Sequence, residues 1–413
     1  MSVIAAGLGN LSDQEGRSLV LVLAASSLGA FLSHYHARIA LPTVVVEIVL
    51  GMVIGPQVLD IAEVTSYVSF LSNIGLALLF FFAGLEAIQK RVPRLDLRRG
   101  TAGWGISLAI ALTVGGLLQG AGLDAEWWLL GVALSTTSLG TLVPILSDRG
   151  LLATPLGKAV LGTGVAGEFW PIVVISVFLT SVYGAVTEVL LLILFGAIVM
   201  GAATVALRAR PSRMLRVLQE TVHTTGQFAV RTSIFLLAVL VVFAARAGFE
   251  FVLGAFAAGL LVGLVLESPE GAIVRMRLEG IGFGFLIPVY FVVTGMTFDL
   301  DSFLTVNGLA LGVAFLALLL VVRGASSLLW LRQLGRQETL GLAMFGATGL
   351  PLIVAIVGIA VDRSAVSTSV GASLIGAGMI SVLLFPLVGL RVVSGHPVAT
   401  GREPASSSAA DEY

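Results

Sequence analysis

Thirteen stretches long and apolar enough to cross a bilayer dominate this chain. They lie near residues 18–35, 41–59, 66–88, 101–121, 126–147, 157–183, 186–207, 226–247, 249–266, 280–298, 304–331, 338–361 and 367–393. A helix of ~20 apolar residues spans the hydrocarbon core. Inside lipid every backbone N–H and C=O needs a partner within the protein, and a helix supplies those partners locally. The pattern predicts an all-α polytopic membrane protein with thirteen transmembrane helices. Charged residues make up only 11% of the chain, against ~25% in soluble domains.

The remaining composition excludes several function classes. A net charge of −1 offers nothing to nucleic acid, and no nucleic-acid partner is expected. There is no cysteine, hence no disulfide framework, thiolate chemistry or cysteine metal site. His34, His36, His223 and His396 are scattered and no HExxH occurs, so neither an enzyme nor a cofactor is expected. The N-terminus has no basic n-region and no A-x-A cleavage site, so the first segment is expected to act as its own insertion signal. The tail 395–413 is small, polar and Pro-containing, and is expected to be disordered.

Basic residues set the orientation. The loops after odd-numbered segments hold 18 of the 23 Lys and Arg, the other side holds three, and Arg231 and Arg323 fall inside segments. Cytoplasmic loops are rich in Lys and Arg, which places the N-terminus outside and the C-terminus in the cytoplasm. One miscounted segment would erase the asymmetry, so it also supports the count of thirteen.

Within the sixth segment stands one acidic residue, Glu168, between Gly167 and Phe169 with Pro171 just after. An ionisable side chain inside a span is expensive and is a functional-site candidate by default. Arg323 lies inside the eleventh segment and must pair, or cap the carbonyl end of a broken helix. Snorkelling to the cytoplasmic end at Leu331 is the competing reading. Glu47 and Glu86, in or near spans, fit an entrance or plain structural hydrogen bonding equally well.

The chain also repeats itself. LLFFFAGLE (78–86) resembles PVYFVVTGMTFD (288–299), and ALSTTSLGTLVP (133–144) resembles MFGATGLPLIV (344–354). Gly84 aligns with Gly295 and Thr137 with Thr348, both at an offset of 211, while Gly51 and Gly55 match Gly259 and Gly263 at 208. The offset is seven segments, an odd number, so the copies cross the membrane in opposite senses, as in secondary transporters. The expected layout is one membrane domain over 1–394. It comprises repeat one (about 41–183), a linker helix (about 186–207) and repeat two (about 226–393). Each repeat interrupts its own helix once. Ser135, Thr136, Thr137 and Thr141 fall in the first interruption, and Gly346, Thr348, Gly349 and Pro351 in the second. Pro removes a donor and clashes with the preceding turn, and irregular backbone survives at membrane depth only beside protein or a cavity. Paired interruptions at matching places point to a transport site.

These motifs resemble a known family. LPTVVVEIVLGMVIGPQVL (41–59), LLFFFAGLE (78–86), ALSTTSLGTLVPIL (133–146), FVLGAFAAGLLVG (251–263) and PVYFVVTGM (288–296) are similar to the bacterial monovalent cation:proton antiporter-2 family. The resemblance covers nearly the whole membrane region with the motifs in order. It implies a homodimer, each protomer pairing a dimerisation domain with a core built on two crossed broken helices. It implies that Glu168 is the ion-binding carboxylate and Arg323 the membrane-embedded cation. That family usually has Asp at the ion site, preceded by Asp, Asn or Gln, where this chain has Gly167-Glu168. It thus leaves the ion open among sodium, lithium and potassium. Some potassium-exporting relatives add a cytoplasmic nucleotide-sensing domain, and none is expected here.

The expectation is a secondary-active cation:proton antiporter of the bacterial plasma membrane, with Glu168 binding a proton or a cation in turn. Burial favours a protonated carboxylate and a nearby Arg favours the ionised one. Thr136, Thr137 and the freed carbonyls of the interruptions offer the oxygen ligands a hard cation wants. Gly167 cannot hold a second proton, so exchange is expected to be electroneutral. Two rivals stay open: a sodium-coupled organic-anion symporter of similar fold, and a non-transporting scaffold or sensor.

Overall fold

A computed structural model describes residues 13–35, 42–89, 93–178, 227–266 and 269–394, with isolated positions between 194 and 204. Apart from those positions the predicted seventh segment (186–207) lies outside the described residues, as do the basic run 208–216 and the tail 395–413. The other twelve predicted segments are helical where they are described, apart from their ends and the short interruptions at 135–138 and 347–350; residues 179–183 of the sixth lie outside the described residues. Among the described residues, eight helical stretches are long and apolar enough to cross a membrane, and shorter apolar helices join them.

In chain order the helices are α1 (Asp13–Tyr35), α2 (Thr43–Ile54), α3 (Ser66–Gln89), α4 (Arg94–Gly120), α5 (Trp127–Leu134), α6 (Leu139–Asp148) and α7 (Pro155–Phe178). Then follow α8 (Phe228–Arg246), α9 (Phe251–Val265), α10 (Pro269–Ile281), α11 (Ile287–Met296), α12 (Leu300–Phe303) and α13 (Val306–Ser327). The last three are α14 (Leu331–Gly346), α15 (Pro351–Asp362) and α16 (Thr368–Ser394). A five-residue π-helical stretch, Gly282–Leu286, joins α10 to α11. The tenth predicted segment is thus the second half of a longer helical run, while the second segment shortens to the twelve residues of α2, ended by Gly55-Pro56.

Helix starts follow sequence chemistry. Pro at a first helical turn costs no hydrogen bond, and Pro155 opens α7 while Pro351 opens α15. The Thr154 hydroxyl accepts the Gly157 N–H at 3.1 Å and the Thr305 hydroxyl accepts the Gly308 N–H at 3.0 Å, both N-cap bonds. Inside α7, Pro171 lacks the N–H that would reach back to the Gly167 carbonyl, which leaves that carbonyl for another element.

The helices pack as two groups. One contains α1, α2, α3, α8, α9 and α11; the other contains α4 to α7 and α13 to α16. Across the seam between them, α7 touches α3 and α9. Two crossings in the first group need glycine. A Cβ on Gly51 would lie 2.0 Å from the Val292 carbonyl oxygen, and one on Gly295 would lie 1.9 Å from that of Ile48. The second crossing has the same form: a Cβ on Gly84 would meet Phe256 O at 2.1 Å, and one on Gly259 would meet Phe81 O at 1.9 Å. Small residues let membrane helices approach backbone to backbone. The α2–α11 contact and the α9–α3 contact are one contact made twice, as an inverted repeat requires.

Candidate functional site

Two interrupted helices meet in the second group. The first runs α5, an irregular Ser135–Ser138 stretch, then α6; the second runs α14, an irregular Ala347–Leu350 stretch, then α15. The first break caps itself. The Ser135 hydroxyl donates to Val132 O and that of Thr136 to Ala133 O, both at 2.8 Å, so the carbonyl end of α5 is served by the next residues in the chain. Thr141 likewise donates to Ser138 O at 3.1 Å.

The breaks then bond to each other and to α7. The Ser138 N–H donates to Thr348 O at 2.8 Å, and the Thr137 N–H takes the Gly167 carbonyl that Pro171 left free, at 3.2 Å. The Thr137 hydroxyl donates to Gly346 O at 2.6 Å. A Cβ on Gly349 would lie 3.2 Å from the Thr136 hydroxyl, so this glycine marks where the two breaks pass.

Glu168 sits at the N-terminus of α6. Its Oε1 accepts the Leu139 N–H at 2.6 Å. The first N–H groups of a helix lack intrahelical partners and carry its positive end, so a carboxylate is the complementary group. The Glu168 side chain borders a cavity of about 50 Å³ whose other walls include Thr137 and Ser138, Pro351 and Leu352 of α15, and Leu79, Phe80 and Ala83 of α3. The carboxylate therefore stands in the seam between the helix groups. Beside it, Phe169 reaches across to Phe256 of α9, ring centroids 5.5 Å apart.

Arg323 is 1% exposed, which rules out snorkelling. Its Nε donates to Gly346 O at 3.2 Å, NH2 to Thr163 O at 3.3 Å and NH1 to the Ser107 hydroxyl at 3.4 Å. It caps the carbonyl end of α14, one of the two expectations raised by the sequence. A Cβ on Gly167 would lie 2.9 Å from Arg323 NH2 and 2.8 Å from the Thr137 hydroxyl, so the guanidinium fills space that a side chain at 167 would need.

Most of the residues singled out in the sequence come together here. Glu168, Thr137 and Pro351 line the cavity, while Arg323, Gly346, Thr348 and Gly349 form the second break and its caps. Thr136 and Ser135 are buried behind the cavity wall with their hydroxyl protons committed to α5. Sequence reasoning placed Ser138 and Leu139 in the first interruption, 135–141, but missed their part at the cavity and the carboxylate. A hydroxyl residue directly before a restarting helix was the available signal. It also missed Ser381 of α16, whose hydroxyl accepts the Gly349 N–H at 3.2 Å, and no local pattern announces that contact.

Comparison with known proteins agrees with this architecture. Residues 22–392 match the sequence profile of the family described as "Sodium/hydrogen exchanger, transmembrane". The Bacillus subtilis protein YjbQ, whose name marks it as a candidate Na(+)/H(+) antiporter, is 29% identical over 390 residues, covering 90% of this chain and 62% of that protein. The chain thus spans less than two thirds of that relative's length. The Na(+)/H(+)-K(+) antiporter GerN of Bacillus cereus is 28% identical over 300 residues, 69% of this chain and 72% of that one. Among solved structures, the sodium proton antiporter MjNhaP1 from Methanocaldococcus jannaschii at pH 8 has the same fold, with a TM-score of 0.65 at 18% identity. That match covers 92% of this chain and 97% of the other.

Proposed function

Because this chain belongs to the sodium/hydrogen exchanger family, we propose that it is a secondary-active cation:proton antiporter in which Glu168 binds a proton and a monovalent cation in turn. One observation carries the reading: a carboxylate in mid-span, on the N–H end of a broken helix, facing a cavity of about 50 Å³. An alkali cation with a few waters matches that volume, since ~10–15 Å³ on this measure holds one water. An organic anion does not, since small-molecule pockets run to ~300–1,000 Å³. The cavity size thus disfavours the symporter, and a carboxylate that only capped α6 would have no need to border a cavity.

The exchange follows from competition at one group. A proton neutralises the carboxylate; a cation replaces it, with the Thr137 and Ser138 oxygens at the cavity wall as further ligands. The Leu139 N–H steadies the anion while the proton is away. Arg323 balances the carbonyl end of α14, so both broken ends meet charge of the complementary sign. Movement of the second helix group against the first along the α7 seam would expose the site to each side in turn.

The reading extends to a homodimer in the bacterial plasma membrane, N-terminus outside, exchanging sodium, lithium or potassium for a proton electroneutrally, through two inverted repeats joined by the 186–207 linker. The test uses everted vesicles with a pH-sensitive dye and a preformed ΔpH. Addition of sodium or potassium should dissipate the gradient in vesicles holding the protein. A gradient that persists with every alkali cation would overturn the antiporter reading.

A further inference from the structure

Ser381 lies fully buried in the middle of α16, far in sequence from both breaks. Its hydroxyl oxygen accepts the Gly349 N–H at 3.2 Å and lies 2.7 Å from the Gly378 carbonyl and 3.2 Å from that of Gly349. Bonding to a carbonyl one turn back is ordinary for serine in a helix. The bond from Gly349 is not. In an unbroken helix that N–H would reach Phe345 O, which here receives the Thr348 N–H instead at 3.2 Å. Ser381 therefore partners a donor that the break has orphaned. Gly378 makes the approach possible, since a Cβ there would lie 2.9 Å from Gly349 O.

From Gly349 the path to the carboxylate is short. Thr348, its neighbour, holds the Ser138 N–H on its carbonyl at 2.8 Å, and Leu139, next to Ser138, holds Glu168 at 2.6 Å. We propose that Ser381 is a positioning residue for cation exchange: by fixing Gly349 it holds the second break against the first, and so keeps the Leu139 N–H aimed at Glu168. The proposal rests on the reading of Glu168 as the exchanging group. Ser381 touches neither the cavity nor the carboxylate and acts only through the backbone of the two breaks.

The test compares Ser381→Ala with Ser373→Ala in proteoliposomes, by sodium-driven dye recovery across a range of sodium concentrations. Ser373 is equally buried on the same helix and bonds Ser369 O and Gly308 O, away from the breaks. Ser381→Ala should raise the apparent KM for sodium by about tenfold with little change in maximal rate, the low end for losing a hydrogen bond that orients an ion's ligand. Ser373→Ala should leave KM unchanged. An unaltered KM in Ser381→Ala, or an equal change in both variants, overturns the proposal. If Ser381→Ala does not yield protein, Ser381→Cys, which keeps the volume with a weaker hydrogen-bonding group, is read by the same criteria. A wild-type protein that shows no exchange would instead defeat the antiporter reading itself, so the two failures are distinct.

Discussion

The two broken helices have the same shape and opposite dependence. The first, at 135–138, satisfies its carbonyl end with its own Ser135 and Thr136 and turns one free N–H, that of Leu139, to Glu168. The second, at 347–350, has one hydroxyl, Thr348, which bonds Met344 O at 3.2 Å. For the rest it borrows: Arg323 from α13 and Thr137 from the first break serve Gly346 O, and Ser381 from α16 serves Gly349. One break receives an anion at a helix N-terminus and the other a cation at a helix C-terminus. The inverted repeat thus supplies two similar frames, and charge of opposite sign tells them apart.

The harshest way to break this comparison is at the anion. Glu168→Gln keeps the size and the acceptor for Leu139 but removes the exchangeable charge, and is expected to abolish dye recovery in vesicles while the protein still purifies as a folded species. Near-wild-type exchange by a well-expressed variant would show that the first break does not carry the site.

At the cation the expected effect is smaller and falls partly on stability. Arg323→Ala withdraws hydrogen bonds from Gly346 O and Thr163 O, and should cost about 1.5–3 kcal/mol, read as a lower unfolding temperature in detergent. With the guanidinium gone from beside Gly167, the charge balance around Glu168 changes and the pH profile of exchange should shift. Arg323→Lys keeps the charge, loses the planar fork and should fall in between. An unchanged profile in both variants would reduce Arg323 to a structural cap.

Gly167 tests how tightly the two charges share space. Gly167→Ala places a methyl 2.8 Å from the Thr137 hydroxyl and 2.9 Å from Arg323 NH2, and should cost about 1–3 kcal/mol as overpacking. If the variant melts with the wild type, the guanidinium is free to move away.

The smallest expected effect is none. If Glu168 is the one titrating carboxylate, with a glycine before it, one proton should exchange for one monovalent cation and no net charge should move. A membrane potential, worth ~2.3 kcal/mol per elementary charge per 100 mV, then has no grip on the equilibrium. In proteoliposomes with a clamped potassium diffusion potential and a sodium gradient, the reversal point for proton flux should not shift with voltage. A shift would mean that a second acid, such as Glu47 or Glu86, carries a proton.

Sequence alone was enough for an all-helical membrane fold, the two interruptions and the ionisable side chains inside helices, though not for the count of thirteen: lipid forces each span to satisfy its own backbone and makes every exception conspicuous. The matching of Gly51 with Gly259 and of Gly84 with Gly295 was likewise legible as spacing. Only the folded protein decided who meets whom. Aligned glycines do not touch: Gly51 packs on Gly295 and Gly259 near Gly84's helix, each against the counterpart of its neighbour. Only the folded protein decided that Glu168 would take the Leu139 N–H, that Arg323 would take Gly346 O from 23 residues away, and that Ser381 would mend the second break. A broken helix end exposes its N–H or C=O by local chemistry, but the partner comes from whichever helix crosses it, and crossings between distant segments leave no periodicity in the chain.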